Sequence, residues 1–251
     1  MSMLALQGVG RDFGGLPAVD SLNMSAERGR ITGLIGPNGA GKTTVVNMIA
    51  GLLKLSRGQV LLDGEDVSTR EAQELSRMGI ARTFQNIRLV RDASVRDNVL
   101  AGFHLHEKTS TLANLLGLPS AFRERRALLA RTDELLDRFG MTAMADWPAG
   151  SLSYGHQRRI EMMRALATEP RLLLLDEPVA GMNDAEAYKL AAIFREVADD
   201  GVAILLIEHN MRFVRRLCDH VCVLASGRLI AEGDAESVIN DPRVIESYLG
   251  S

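Results

Sequence analysis

The sequence predicts an α/β fold: a core of buried strands and helices with an antiparallel β edge, interrupted by an inserted α-helical subdomain. Three observations predict it. "RITGLI", "LLLLD" and "VAILLI" are short, continuous apolar runs of strand length. "TTVVNMIAGLL" and "DAEAYKLAAIFREVADD" have helical spacing and follow two of those runs. Between about Ser94 and Thr168 the character turns mainly helical. The expected organisation is one domain over 1–251, with a core lobe of 1–93 and 169–251 and a helical subdomain of 94–168.

Taken in order, "LALQGVGRDF" and "AVDSLNMSAE" read as strands with mixed alternation, broken at "GGLP". "RITGLIG" leads into a Gly-rich loop and the helix "TTVVNMIAGLL". "GQVLLDGEDV" and "IARTFQ" are further strands. "SVRDNVLAGFHL" and "AFRERRALLARTDELLDRFGM" are helical, with the less regular "HEKTSTLANLLGLPS" between them. "GHQRRIEMMRALATEP" is a helix stopped by Pro170. The core resumes with the strand "RLLLLDEP", a helix beginning at the acidic Asp184, the strand "GVAILLIEH" and the short helix "MRFVRRLC". "HVCVLASGRLIAEG" reads as two strands around a Ser226-Gly227 turn, and "DAESVINDPRVIESYLG" as a helical tail.

Composition narrows the function classes. A chain of 251 residues that is 46% hydrophobic has ample material for a core. A net charge of -3 provides no general basic field for nucleic acid. No run reaches 18 apolar residues, so no membrane-spanning helix is expected. "MSMLALQGVGRDF" lacks a basic segment followed by an apolar one, so no signal peptide is expected and the expected location is the cytosol.

"GPNGAGKTT" fits G-x-x-x-x-G-K-[ST], with Gly36, Gly41, Lys42 and Thr43 in the fixed places. Small residues let backbone N–H groups crowd an anion, and the following helix points its positive end at it. The stretch Gly36, Pro37, Asn38, Gly39, Ala40, Gly41, Lys42, Thr43 and Thr44 is therefore the expected phosphate cradle of a P-loop NTPase core. Lys42 is placed to reach the β- and γ-phosphates, and Thr43 to put its hydroxyl on Mg²⁺. "LLLLDEP" ends a strand on Asp176, suited to the metal through water, and Glu177, suited to take a proton from the attacking water. In "LSYGHQ", Ser153, Gly155 and Gln157 lie near a helix start, where a hydroxyl and free N–H groups make a second anion site.

In "CDHVC", Cys218, His220 and Cys222 are expected on one strand face. Two thiols and one imidazole leave zinc a ligand short, so buried reduced cysteines are the reading preferred.

"GPNGAGKTT", "TFQ", "LSYGHQ", "LLLLDEP" and "IEH" occur in the order found in ATP-binding-cassette (ABC) ATPases, and the resemblance covers essentially the whole chain. It implies an ABC ATPase that binds ATP and Mg²⁺. It implies that Gln85 contacts Mg²⁺ and water, that His209 stands near the γ-phosphate, and that Phe13 stacks on adenine. It further implies that Ser153, Gly155 and Gln157 grip ATP bound by a second, facing ATPase subunit, in a homodimer or heterodimer. Asn183 stands where the family usually has Asp, and His156 replaces the more usual acid or amide at a signature position expected to point away.

"IARTFQNIRLVRDASVRDNVL", "AGMN" and "LIEHNMRFV" resemble the branched-chain amino acid uptake group, in particular its larger ATPase subunit. That resemblance implies transmembrane permease subunits as partners, an indirect link to a periplasmic substrate-binding protein, and a peripheral place on the inner face of the cell membrane. It implies no nucleic acid. The alternatives are an ATPase of a lipid or lipopolysaccharide exporter, which the 94–140 surface would discriminate, and a soluble non-transport cassette. The latter usually carries two cassettes, a coiled-coil insertion or basic tails, none of which is in the sequence.

Overall fold

The computed structural model describes residues 2–83, 87–106 and 119–249. The chain divides into two compact units: Met1–Arg82 with Arg171–Pro178 and Asn183–Ser251, and Thr83–Pro170 with Val179–Met182.

The first unit opens with β1 (Ser2–Phe13) and β2 (Leu16–Glu27), an antiparallel pair whose register shifts repeatedly, as between Leu6 and Val9. Those bulges are why the apolar alternation in the sequence is mixed: each extra residue moves the following side chains to the other face. β3 (Ile31–Ile35) leads to α1 (Lys42–Ile49). β4 (Arg57–Leu62) and β5 (Glu65–Asp66) join β1 and β2 in a four-stranded sheet of order β2-β1-β4-β5. α2 (Ala72–Arg77) has no counterpart in the sequence reading. It is a single short helix with one buried residue, Leu75, held by a reciprocal Glu71–Glu74 capping box, so it has no period to detect. β6 (Ile80–Arg82) follows.

The second unit contains α3 (Val95–Leu100), α4 (Pro119–Arg138) and α5 (Tyr154–Leu166). Ser94 caps α3 by accepting from the Asp97 N–H, and a 3₁₀ segment, Ala101–His106, continues from α3. Phe103, Leu128 and Ala167 are buried together as its core.

The first unit resumes with β7 (Leu172–Asp176), α6 (Asp184–Asp199), β8 (Ala203–Ile207), α7 (Met211–Leu217), β9 (His220–Ala225) and β10 (Arg228–Gly233). The tail forms α8 (Ala235–Ile239), capped by Asp234, and α9 (Pro242–Leu249). β9 begins at His220, so Cys218 is not in the strand as expected: it ends α7. Its Sγ lies where a side chain on Gly33 would point, beside Val221. Cys222 instead pairs with Leu34, the next residue along β3 and hence on the opposite face. Both cysteines are free and buried.

The six-stranded sheet has the order β10-β9-β3-β8-β7-β6, parallel throughout except for β10 against β9. Every residue of β3, β7 and β8 is buried. Burial on both faces is what makes "ITGLI", "LLLLD" and "AILLI" continuous rather than alternating. One apolar cluster joins this sheet to β1, β2, β4 and α1 through Leu4, Leu22, Val60, Val45, Leu174 and Leu205. Each such side chain contributes about 1.5–3 kcal/mol on burial. The register sets the parallel strand ends side by side, with Leu34 and Asp176 both paired to Ile207. The loops leaving β3, β7 and β8 therefore emerge together at the carboxyl edge, the usual ligand edge of such a sheet.

Candidate active site

The loop from Gly36 to Gly41 follows β3, and its glycines are sterically required. At Gly36 φ is 147°, and a Cβ there would lie 2.0 Å from the Leu224 carbonyl oxygen. At Gly41 φ is 103°, and a Cβ would lie 2.6 Å from the Ala18 carbonyl oxygen. Gly41 is the N-cap of α1, and no side chain caps that helix. The first-turn N–H groups of α1 are thus left for an anion, at the positive end of the helix dipole. Thr43 is exposed and Thr44 half-buried in the first turn, while Asn38 and Gly39 are exposed on the loop.

Lys42 folds back over this loop. Its Nζ donates to the carbonyl oxygens of Gly36 at 2.8 Å and Pro37 at 2.9 Å. Burial lowers its pKa, against the opposing pull of the Glu177 and Asp176 charges. These carbonyl oxygens are neutral, so anionic phosphate oxygens fit as replacements, adding the attraction between opposite full charges.

Asp176 ends β7 and is buried at 3% exposure. Arg82 on β6 donates to its Oδ2 at 3.3 Å and to Asn47 Oδ1 on α1. Glu177 has φ 48°, a left-handed conformation rare for a branched-free acid, and its N–H donates to the Ile207 carbonyl at 3.0 Å. His209, just past β8, places Nδ1 3.5 Å from Glu177 Oε1. Buried Glu208 supports this turn: its Oε2 accepts from the N–H groups of His209 at 3.1 Å and Asn210 at 3.3 Å. The first unit thus brings Lys42, Asp176, Glu177 and His209 to one sheet edge. Arg82, Asn47 and Glu208 were not singled out from sequence. Arg82 and Glu208 are charged residues in otherwise apolar strand runs, which is the signal that marks them.

Phe13 ends β1 with 48% exposure, its ring 4.9 Å from the Arg11 guanidinium carbon. An exposed aromatic at a strand end can present a ring face to a flat partner. Gln85 lies outside the described residues.

Ser153, Gly155 and Gln157 belong to the second unit. Ser153 is the N-cap of α5 and an exposed residue, its hydroxyl accepting from the His156 N–H. Gln157 Nε2 donates to the Leu152 carbonyl at 2.8 Å. His156 does not point away as expected: its Nδ1 lies 2.8 Å from Ser153 Oγ. A side chain at the third helical position naturally reaches back to the cap residue, as in a capping box. Asn183 caps α6, accepting from the Glu186 N–H at 3.0 Å while Glu186 accepts from the Asn183 N–H at 3.1 Å. The amide thereby performs the capping role that a carboxylate would perform.

A family model described as ABC transporter matches residues 19–180, and one described as branched-chain amino acid ATP-binding cassette transporter matches 228–251. The high-affinity branched-chain amino acid transport ATP-binding protein BraF of Pseudomonas aeruginosa is 39% identical over 249 residues, covering 99% of this chain and 98% of that protein. The corresponding LivG protein of Escherichia coli is 40% identical over 249 residues with the same coverage, 99% and 98%. A solved ADP conformation of an ATP-binding cassette of an ABC transporter matches with a TM-score of 0.87 and 32% identity, covering 100% of both chains. The chain belongs to the ATP-binding-cassette (ABC) transporter family and has the ABC ATPase fold.

Proposed function

We propose that this chain is the ATP-hydrolysing subunit of an ABC importer for branched-chain or other hydrophobic amino acids. The observation that carries the chemistry is the meeting of Lys42, Asp176, Glu177 and His209 at the ends of neighbouring parallel strands. The near-full-length likeness to BraF and LivG supports the amino acid assignment, as does the match of 228–251 to the branched-chain family model.

The loop Gly36–Gly41 and the start of α1 hold the ATP phosphates, and Lys42 exchanges its two carbonyl partners for phosphate oxygens. Thr43, Gln85 and, through water, Asp176 would hold Mg²⁺; an exposed threonine and a carboxylate offer the oxygen ligands that a hard cation takes. Bound there, Mg²⁺ supplies neutralisation of phosphate charge. Glu177 accepts a proton from the attacking water, and His209 orients that carboxylate and the γ-phosphate. Phe13 stacks on adenine. The 94–168 segment is the subdomain carrying the signature. Its Ser153, Gly155 and Gln157 complete the site of a facing ATPase subunit.

Closure of that pair drives transmembrane permeases, fed by a periplasmic substrate-binding protein. No helix among the described residues is long and apolar enough to cross a membrane, which suits a peripheral subunit on the cytoplasmic face. The test is reconstitution with its permeases in proteoliposomes. Leucine-loaded binding protein is expected to stimulate ATP hydrolysis and leucine uptake. Stimulation by lipid or lipopolysaccharide, with none by leucine, overturns the import reading.

A further inference from the structure

We propose that His220, Cys222 and Glu232 form a binding site for a thiophilic divalent cation, Zn²⁺, on the β9–β10 hairpin. Read along one strand, the cysteines fall short of a metal site, because Cys218 lies on the other face of the sheet. The third ligand comes from across the ladder. His220 and Cys222 stand two apart on β9 and so share a face. Glu232 on β10 is the direct antiparallel partner of Cys222, which sets its side chain beside the thiol.

One ligand atom from each of the three residues lies within 4.8 Å of the others. His220 Nε2 is 3.7 Å from Glu232 Oε2, and Cys222 Sγ is 4.0 Å from the same oxygen. Zinc bonds of 2.0–2.3 Å at tetrahedral angles set ligand atoms about 3.3–3.6 Å apart. The two separations to Glu232 Oε2 therefore lie within about half an ångström of that geometry. The imidazole–carboxylate separation also exceeds a direct hydrogen bond, so these two groups converge without closing on each other.

An imidazole, a thiolate and a carboxylate are a borderline-soft set, suited to zinc and poor for Mg²⁺ or Ca²⁺. Three protein ligands do not close a four-ligand structural zinc site; they make an open one, with water in the fourth position. The His220 and Glu232 side chains are 37% and 53% exposed, which provides the entry route, while Cys222 is fully buried. In the free site the Cys222 thiol faces Glu232 Oε2 as an S–H donor. Binding forms the zinc–sulfur bond and releases that proton to solvent. The bound cation would pin β10 to β9, and β9 neighbours β3 through the Leu34–Cys222 pairing, two residues before the phosphate loop.

The test is a Co²⁺ titration of the full chain without a histidine tag, under a non-thiol reductant. A near-ultraviolet thiolate-to-cobalt band and visible bands of a four-coordinate ion are expected, saturating at one equivalent and abolished by Zn²⁺ but not by Mg²⁺. Cys222→Ser is expected to remove the thiolate band. Cys218→Ser and Lys42→Ala are expected to keep it, separating this site from the other thiol and from the nucleotide site. Glu232→Gln, at an exposed side chain, is expected to weaken the Co²⁺ Kd at least about tenfold, since even outer-shell changes cost that much. Zn²⁺ is expected to raise the Tm of the wild-type chain and not of Cys222→Ser. No thiolate band in the wild-type chain, a band that survives Cys222→Ser, or an unchanged Kd in Glu232→Gln overturns the proposal.

Discussion

Each of the two units contains a buried arginine–carboxylate pair, and the two pairs connect different things. In the first unit Arg82 and Asp176 come from neighbouring strands 94 residues apart, with side chains 8% and 5% exposed. Arg82 also reaches Asn47, so the pair ties β6, β7 and α1 together, and its carboxylate is itself a proposed metal-site residue. In the second unit Arg158 and Glu161 lie one turn apart on α5, at 2.9 Å and with 1% and 2% exposure. Arg158 also lies over the Tyr154 ring, 5.7 Å from its centroid. This pair joins two successive turns of the helix that Ser153 caps. The difference teaches where each half of the chemistry is vulnerable: the sheet edge through long-range packing, the signature through the start of one helix.

The sharpest contrast comes from Glu177→Gln. Losing a general base is expected to slow turnover by roughly 10²–10⁴-fold while leaving the nucleotide Kd intact, read by steady-state hydrolysis and nucleotide titration. Near-normal turnover contradicts the assignment. Next come the two ion pairs. Removing one partner of a buried pair costs about 3–5 kcal/mol in stability, so Arg82→Leu and Arg158→Leu are both expected to lower the urea midpoint. Only Arg82→Leu is expected to lose MgATP affinity as well; equal affinities in the two variants would erase the comparison. Phe13→Ala is expected to weaken nucleotide binding by about 1–3 kcal/mol, equally for ATP and GTP because stacking reads a ring face. An unchanged Kd removes Phe13 from the site. The smallest effect belongs to Asn183→Ala, where losing the cap of α6 costs about 1 kcal/mol of stability; no change in the unfolding midpoint shows that the capping box contributes nothing.

These contrasts also mark what the sequence could carry. The strands β3, β7 and β8 were legible because burial on both faces makes each a continuous apolar run. The phosphate loop was legible because its glycines answer a steric demand that no other residue meets, as at Gly36 against Leu224. α2 was not, because one buried leucine has no period. Nor was the end of α1 at Ile49, since apolar residues continue to Leu53 outside the helix. Local spacing also misplaced Cys218 and missed Glu232, because strand ends and cross-strand register are tertiary facts. His156 was read as pointing away, whereas its ring meets the Ser153 hydroxyl through the geometry of the first helical turn. Arg82 and Glu208 act through partners far along the chain or through backbone N–H groups, which motif spacing does not encode.

The central claim is that the sheet edge of one subunit and the α5 start of another form a single ATP site. Mixing two inactive variants, Lys42→Ala and Ser153→Arg, tests it most directly. In a mixed pair one site carries both defects, and the other combines the intact Lys42 of one chain with the intact Ser153 of the other. With differently tagged chains, or with the two changes split between this chain and a sister ATPase, ATP is expected to produce a crosslinkable mixed pair that neither variant forms alone. If no ATP-dependent mixed pair forms where wild-type chains form one, the cross-subunit site is contradicted and Ser153 is only the cap of α5.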